Sequence, residues 1–461
     1  MDSADPSQSL SSSLDLKPLE ALAGTGQTLS WNQLPSPQVE RFTQALDPET
    51  GLGGIVTPET QEQLAAVVAW TAQQQVGILP YGNGSKLHWG GLVRNAGLGV
   101  GTARLNRLVE HAVGDLTVTV EAGMKFADLQ GILAAADQFL PLDPAYPDRA
   151  TIGGIIATAD TGSLRHRYRG VRDILLGISF VRADGQLTKA GGRVVKNVAG
   201  YDLMKLLTGS YGTLGMITQA TLRVYPMAEA SGTVILTGNA EAIAQATQTL
   251  LASALTPVTV DLLSASWVKP WVKSWEIGIG PGLIVGFQGL SESVQQQSSR
   301  LLEVGEKLGL RGILADEPQL WRQFPQTIWN ASSYPKVAAE SPATASPEVS
   351  SGVSPIRCKI GILPTAAVAT LMQSPAQGWI HAGVGLGILQ FEPDTSIAVL
   401  EEQRRWCQAQ GGFFSILEAP IELKQRLDPW GYTGNAWELM GQIKQKFDPQ
   451  TRLSPQRFSF S

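Results

Sequence analysis

The hydrophobic pattern near the start of the chain predicts a helix with one buried face. Residues suited to burial recur there at intervals of three and four: Leu64, Val67, Val68 and Thr71. Thr57 is the expected N-cap and Pro58 the expected first-turn residue, since both residue types favour those positions. We therefore predict a helix that begins just after residue 57.

Strand and helix patterns interleave in the rest of the first 225 residues. Short apolar runs predict strands at 76–80, 117–123, 174–182 and 216–224, and helical spacing predicts helices at 125–136 and around Leu203, Leu206 and Leu207. This mixture indicates an α+β fold.

A proline and a run of small residues after residue 225 indicate a domain boundary. A second strand-and-helix pattern follows, at 233–236 and 240–252, and continues to about residue 420. The predicted domains are 1–47 as tail and lead-in, 48–228 as a nucleotide domain, 229–420 as a second α/β domain and 421–461 as a C-terminal segment with a helix through Phe447. Residues 332–355, rich in Ser, Pro and Ala, are predicted to be a mobile insertion because they cannot bury enough apolar surface to order.

Composition excludes several classes of protein. The chain has 461 residues, a net charge of −5 and no basic stripe with interleaved aromatics, so nucleic acid is not an expected partner. No apolar run reaches the length of a membrane span, and residues 1–19 lack the basic and apolar parts of a signal peptide. Cys358 and Cys407 are the only cysteines, which favours a reducing, cytoplasmic setting and excludes a four-cysteine iron–sulfur cluster within the chain.

Three glycine-rich segments carry the candidate chemistry. The first, residues 81–86, follows a predicted strand and can form a nest of main-chain N–H groups for a diphosphate. The second, residues 150–163, can wrap a flat ring, and the third, residues 209–215, precedes a strand. The first alone is as well explained by an ordinary turn and the second by a helix start under a sheet. Their common order, at steps of roughly 65 residues, is more specific than any one of them.

The three segments resemble the FAD-binding segments of the vanillyl-alcohol oxidase/PCMH flavoprotein superfamily. Within it, Lys196-Asn197-Val198-Ala199-Gly200-Tyr201-Asp202, Gly209-Ser210-Tyr211-Gly212 and the ending Asp448-Pro449 with Leu453-Ser454-Pro455 are most similar to the FAD-binding subunits of glycolate oxidase. The resemblance implies a PCMH-type two-subdomain FAD-binding fold at 48–228, a separate α/β cap domain at 229–420, and a C-terminal segment that returns to the flavin domain.

The resemblance also implies a set of cofactor-binding residues, taken over position by position. Residues of the first segment would hold the diphosphate: Gly82, Asn83, Gly84, Ser85 and Lys86. Residues of the second would line the flavin and its phosphates: Thr151, Gly153, Gly154, Thr158 and Gly162. Residues in and before the third would close the adenine–ribityl side: Asp202, Gly212, Thr213, Gly215 and Ile217. For Asp202, a helix cap is an equally good explanation.

The chain departs from the superfamily pattern at places where chemistry is expected. Ala159 stands where many members have Asn, and Tyr211 stands where hydroxy-acid dehydrogenases have Glu. His381 lies where those dehydrogenases carry a metal and base motif, but the motif's other ligands are absent; one histidine cannot hold a metal, so no metal is expected. The catalytic residue is therefore unknown, with Tyr201, Tyr211 and His381 as candidates.

Two further features of the sequence concern the attachment of the cofactor and the binding of anions. His88 follows the first segment at an offset that does not match the superfamily's covalent attachment site, so non-covalent FAD is expected. The basic run Arg165, His166, Arg167, Arg169 and Arg172 could attract an anionic substrate or phosphate, or be a solvated loop, or contact a partner subunit.

The resemblance implies an oxidoreductase subunit that oxidises a small 2-hydroxy acid such as glycolate to the 2-oxo acid. Its implied partners are a second flavin subunit and an iron–sulfur subunit, through which any peripheral contact with a membrane would arise. Two alternatives remain at this point: a flavin-carrying scaffold or electron-relay subunit without substrate chemistry, and an α/β protein that binds another nucleotide or none.

Overall fold

The computed structural model describes residues 14–192, 202–269, 280–315, 328–329 and 354–458. They form two compact units, one within Met1–Glu229 and Lys424–Ser461 and the other within Ala230–Leu423. The predicted insertion at 332–355 lies outside the described residues apart from 354 and 355, and Tyr201 lies outside them as well. No described helix is both long and apolar enough to cross a bilayer.

The first unit contains a four-stranded sheet whose last three strands are parallel. Its strands, in spatial order, are Thr28–Ser30, Gly54–Val56, Ala96–Gly101 and Gly77–Tyr81. Ile78 forms a parallel bridge to Leu453, so the C-terminal segment adds to the open edge of this sheet. The glycine-rich residues 82–86 follow the carboxyl end of the strand Gly77–Tyr81, where ligands of parallel sheets commonly bind.

A second sheet of the first unit has five antiparallel strands: Leu108–Ala112, Thr117–Glu121, Met216–Arg223, Leu175–Val181 and Leu187–Gly191. The pair Gln138–Phe139 and Tyr225–Pro226 forms a small separate ladder. Every residue of Leu175–Val181 is buried, because helices cover the apolar side chains that its sequence presents on both faces.

The helices of the first unit include the predicted amphipathic one, observed at Gln61–Gln73. Its buried face is as predicted, but Thr57 and Pro58 do not begin it. Thr60 is the N-cap: its hydroxyl accepts from Gln63 N, and the Gln63 side chain bonds back, a capping box that the Thr57 prediction overlooked. The other helices here are Lys17–Ala23, Trp31–Gln33 and Val113–Asp115 (both 3-10), Ser36–Thr43, Phe126–Ala134, Ile152–Thr158, Arg165–Tyr168, Val171–Ile174, Leu203–Leu207 and Trp437–Phe447.

The second unit is built on one eight-stranded antiparallel sheet. Its strands, in spatial order, are Arg311–Leu314, Ala230–Thr237, Gly282–Gly289, Thr259–Leu263, Gln377–His381, Leu386–Phe391, Ile356–Gly361 and Phe413–Glu418. Its helices are Ala240–Leu251, Ala265–Val268, Ser291–Lys307, Pro364–Ala366 (3-10), Ala367–Gln373 and Ile397–Ala409. The helix Ile421–Arg426 contains the boundary between the two units.

Candidate functional site

The three glycine-rich segments come together around one cleft of the first unit. The cleft has a volume of about 730 Å³ including its open mouth. Its lining residues are Pro80, Tyr81, Gly82, Asn83, Gly84, Ser85, Lys86, Leu87, Thr102, Thr151, Gly153, Gly154, Ala157, Thr158, Tyr211, Gly212, Gly215, Met216, Ile217 and Arg457.

Most residues expected to bind the cofactor line this cleft, and three do not. Those on its wall are Gly82, Asn83, Gly84, Ser85, Lys86, Thr151, Gly153, Gly154, Thr158, Gly212, Gly215 and Ile217. Gly162 instead donates its N–H to Asp143 Oδ1 at 2.8 Å. Asp202 caps the helix Leu203–Leu207 by accepting from Lys205 N at 3.3 Å, which is the cap role left open by the sequence. Thr213 is buried, and its hydroxyl donates to Ser210 O at 2.7 Å.

The first segment forms an open loop against the second. A Cβ on Gly82 would lie 2.1 Å from Thr151 Oγ1, so only glycine allows this approach. Gly84 has φ +74°, a backbone conformation that favours glycine. Among the described residues, the main-chain N–H groups of 82–86 donate to no protein acceptor, so they are free to bind an anion in the cleft.

The second segment is the helix Ile152–Thr158, capped by Thr151. The N–H of Gly154 donates to Thr151 Oγ1 at 3.2 Å, and that of Gly153 donates to Ala122 O at 2.7 Å. A Cβ on Gly153 would lie 2.8 Å from the Ala122 side chain. The glycines therefore let a helix start pack closely on the sheet, and they give the cleft an apolar surface rather than N–H donors.

The third segment is hydrogen-bonded to the helix Ile152–Thr158. Tyr211 N donates to Ala157 O at 2.8 Å, and Gly209 N donates to Ile156 O at 3.0 Å. Tyr211 has φ +50° and Gly212 φ +72°. A bulky residue in the left-handed region is strained, so the surrounding bonds hold Tyr211 in the wall of the cleft at some energetic cost.

Two cationic side chains line the cleft, and their partners differ. Lys86 is buried and its Nζ lies 2.6 Å from Asp160 Oδ2; burial lowers its pKa, and the carboxylate works against that shift. Arg457 is also buried and forms no salt bridge with a described carboxylate. Burial lowers the pKa of Arg457 to about 10, so the guanidinium stays charged at neutral pH.

Several lining residues were not predicted from the sequence. Arg457, Tyr81 and Thr102 are polar members of this group, and Pro80, Leu87, Ala157 and Met216 are apolar ones. The sequence did contain a signal for Tyr81, because this residue stands at the end of a predicted strand, directly before the first glycine-rich segment. Arg457 carries no local signal, because it reaches the cleft only through the pairing of the C-terminal segment with Ile78.

The catalytic candidates have different surroundings. Tyr211 lines the cleft, and burial raises the pKa of its hydroxyl well above the ordinary range, so it is a proton donor and not a base at neutral pH. His381 lies in the second unit, with Nδ1 2.7 Å from Asp261 Oδ1 and both side chains buried. No three His, Cys, Asp or Glu side chains among the described residues come together as metal ligands.

His88 and the basic run Arg165–Arg172 do not line the cleft. The His88 ring lies 6.4 Å from that of Tyr146, edge to face, and its carbonyl accepts from Lys424 Nζ. In the basic run, Arg167, Arg169 and Arg172 are exposed, and none of its members lines the cleft.

Comparison with known proteins matches part of this cleft to an FAD-binding domain. Residues 53–191 match the family described as FAD binding domain. The chain is 32% identical over 259 residues to glycolate oxidase subunit GlcD of Bacillus subtilis (strain 168), covering 55% of each protein. It is 38% identical over 125 residues to glycolate oxidase subunit GlcE of Escherichia coli (strain K12), covering 27% of this chain and 36% of that one. The matches thus span about half or less of these relatives.

The fold is shared with a solved flavoprotein structure. p-Cresol methylhydroxylase with substrate bound superposes with a TM-score of 0.69 at 15% identity, over 95% of both chains. At that identity the likeness concerns the fold, which is the PCMH-type architecture expected from the sequence.

The cleft has the features that FAD requires. The free N–H groups of 82–86 suit a diphosphate, and the packed helix Ile152–Thr158 offers a flat apolar wall. Two buried lining atoms, Tyr81 Oη and Arg457 Nε, have no hydrogen-bond partner in the protein. Both are compatible with a polar ligand in the cleft, but such atoms also occur elsewhere among the described residues, so the free N–H groups of 82–86 carry the assignment.

Proposed function

Since this chain is a flavoprotein with a PCMH-type FAD-binding domain, we propose that it is an oxidoreductase subunit that oxidises a small 2-hydroxy acid, glycolate or a close analogue. The observation that carries the proposal is the cleft with its free N–H groups at 82–86, in a chain related to glycolate oxidase subunits. FAD supplies a two-electron acceptor when bound. The substrate would lose two electrons and two protons and become the 2-oxo acid.

The roles of the lining residues follow from their contacts. The loop 82–86 would hold the diphosphate, and Thr151, Gly153, Gly154 and Thr158 would pack against the ring. Gly212, Gly215 and Ile217 would enclose the remainder of the cofactor. Gly162, Asp202 and Thr213 do not line the cleft, so their role would be to hold the neighbouring backbone in place and not to contact the cofactor.

No base for the hydroxyl proton is assigned in this cleft. No carboxylate or histidine is found among its described lining residues, and Tyr211 is unsuited to the role because the raised pKa of its hydroxyl keeps it protonated. His381 belongs to the second unit, where its Nδ1 lies 2.7 Å from Asp261 Oδ1.

Electrons would leave the reduced flavin to a partner. Two cysteines cannot ligate a four-cysteine cluster within the chain, so a partner with iron–sulfur centres and a second flavin subunit, as in a glycolate oxidase complex, would complete the system.

A second candidate function is that of a flavin-carrying relay subunit without its own substrate chemistry. One observation favours it: no carboxylate or histidine is found among the described residues that line the cleft. The relay would accept electrons from a catalytic partner.

Anaerobic mixing of the FAD-loaded protein with glycolate, D-lactate and L-lactate separates the two functions. The oxidase proposal predicts that one of these acids bleaches the flavin absorbance of this chain alone. Bleaching only after the partner subunits are added would favour the relay. No bleaching by any 2-hydroxy acid, alone or with partners, would contradict both.

A further inference from the structure

Among the described residues that line the cleft, Arg457 is the cation without an acidic partner. It lies on the cleft wall, its side chain is buried, and it forms no salt bridge with a described carboxylate. An isolated buried charge is costly unless a counter-charge or strong hydrogen bonds compensate it. Such a charge in a ligand cleft indicates that the ligand brings the counter-charge.

Hydrogen bonds fix the position of this guanidinium. Its Nη2 donates to Leu87 O at 2.6 Å and to Trp89 O at 2.7 Å. The carbonyl of Arg457 accepts from Trp430 Nε1 at 2.7 Å, and its N–H donates to Ser454 O at 3.2 Å. The side chain is therefore held next to the residues that follow the loop 82–86.

One donor of this side chain is unused. Arg457 Nε is buried and has no hydrogen-bond partner among the described residues. The guanidinium also lies 5.8 Å from the centroid of the Tyr211 ring, another lining residue. The donor is thus in place before a ligand binds.

Lys86 does not duplicate this role. Its ammonium is paired with Asp160 at 2.6 Å, and Asp160 also accepts from Ala145 N at 2.9 Å. The Lys86–Asp160 pair has no net charge, so the uncompensated positive charge among the described lining residues is that of Arg457.

We propose that Arg457 pairs with the negative charge of bound FAD and sets part of its affinity or its reduction potential. The charge has two sources in this cofactor: the diphosphate, and the ring once it is reduced and deprotonated. The inference rests on FAD as the cofactor and not on the hydroxy-acid substrate, so it stands or fails independently of the proposed reaction.

The test compares Arg457→Gln with Arg457→Lys and with Arg452→Gln. Arg452 is a matched control because it is a buried arginine of the same segment that donates to Ala183 O and does not line the cleft. For each variant, FAD affinity is measured by titration of the FAD-free protein, ADP affinity by competition, and the two-electron potential by dye equilibration.

If the diphosphate is the partner, Arg457→Gln should weaken the binding of oxidised FAD and of ADP by the same factor, about ten- to hundredfold, the range for a hydrogen bond to a charged group, and the potential stays constant. If the reduced ring is the partner, the affinities for oxidised FAD and for ADP stay constant, and each tenfold loss of preference for reduced FAD lowers the potential by about 30 mV. Arg452→Gln should change either affinity by less than about threefold and leave the potential unchanged.

Two results would overturn the proposal. One is a folded Arg457→Gln protein with wild-type FAD affinity and potential. The other is an equal loss in Arg452→Gln, which would assign the effect to the C-terminal segment as a whole. Should Arg457→Gln not fold, Arg457→Lys decides, because it keeps the charge: it should retain FAD within about tenfold, and complete loss would show that charge is not the cause.

Discussion

In the second unit two buried ion pairs join acidic and basic side chains, whereas the cleft of the first unit contains a buried arginine with no described carboxylate partner. Arg357 bonds to Glu418, and His381 bonds to Asp261 at 2.7 Å. In the cleft, Arg457 Nε and Tyr81 Oη have no partner among the described residues. Atoms of this kind also occur away from the cleft, for example Thr237 Oγ1 and Ser298 Oγ in the second unit, so they do not locate a ligand site by themselves. At the cleft they coincide with the free N–H groups of 82–86, and the two features together favour a ligand site there.

The largest expected effect is on the paired network of the second unit. Glu418→Ala leaves Arg357 charged and buried, which should lower the free energy of unfolding by about 3–5 kcal/mol. Urea unfolding measures this loss. The control Arg104→Gln breaks an ion pair that is half exposed and should cost at most about 1 kcal/mol. Equal losses in both variants would show that burial of the pair is not what matters.

The next effect is on the cleft itself. Gly82→Val places a side chain where a Cβ would already lie 2.1 Å from Thr151 Oγ1, and the loop must move. Overpacking of this kind typically costs about 1–3 kcal/mol, so we expect FAD binding to weaken by about ten- to hundredfold in a flavin fluorescence titration.

Gly131→Ala is the matched control for that variant. A Cβ on Gly131, in the helix Phe126–Ala134, meets no atom within 4 Å, so FAD affinity should be unchanged. Wild-type affinity in Gly82→Val would contradict the assignment of this loop.

A smaller, pH-dependent effect should come from the Lys86–Asp160 pair. Burial lowers the pKa of Lys86 below 10.5, so in the pH range just under 10.5 the unfolded chain binds more protons than the folded one and stability rises with pH. The rise is about 1.4 kcal/mol for each unit by which the pKa is lowered. Unfolding free energies between pH 8 and 10 should show a smaller rise for Lys86→Met than for the wild type. An equal rise of the unfolding free energy with pH in both proteins would contradict this prediction.

The smallest expected effect is at Asp202. Asp202→Ala removes the cap of Leu203–Leu207 and should lower stability by about 0.5–1 kcal/mol. FAD affinity should stay at the wild-type value because Asp202 does not line the cleft. A tenfold loss of FAD affinity would contradict this prediction and would show that Asp202 contributes to the cofactor site, as the family resemblance implied.

Local pattern was enough to predict the elements whose signal lies within one segment. The buried face of Gln61–Gln73, the helix Trp437–Phe447 and the strand Leu175–Val181 are confirmed. The predicted start of the helix Gln61–Gln73 was wrong because both Thr57 and Thr60 could serve as the N-cap. The side chain of Gln63, which bonds back to Thr60, decides between them. The three glycine-rich segments were predicted to share a site, and all three line one cleft.

The contacts of the cleft's charged residues could not be predicted, because they join distant parts of the chain. Lys86 meets Asp160, 74 positions later, and Arg457 bonds to Leu87, 370 positions earlier. No periodicity or motif specifies such pairs. The contacts of Arg457 follow from the pairing of the C-terminal segment with the strand Gly77–Tyr81, which is a property of the folded chain.

Hydrogen–deuterium exchange with and without FAD tests most directly the claim that the unpaired polar groups of the cleft form the cofactor site. The account predicts that FAD slows exchange at the amides of 82–86, which have no protein acceptor, and leaves the exposed turn Val113–Asp115 unchanged. Unchanged exchange at 82–86 in a protein saturated with FAD would contradict it.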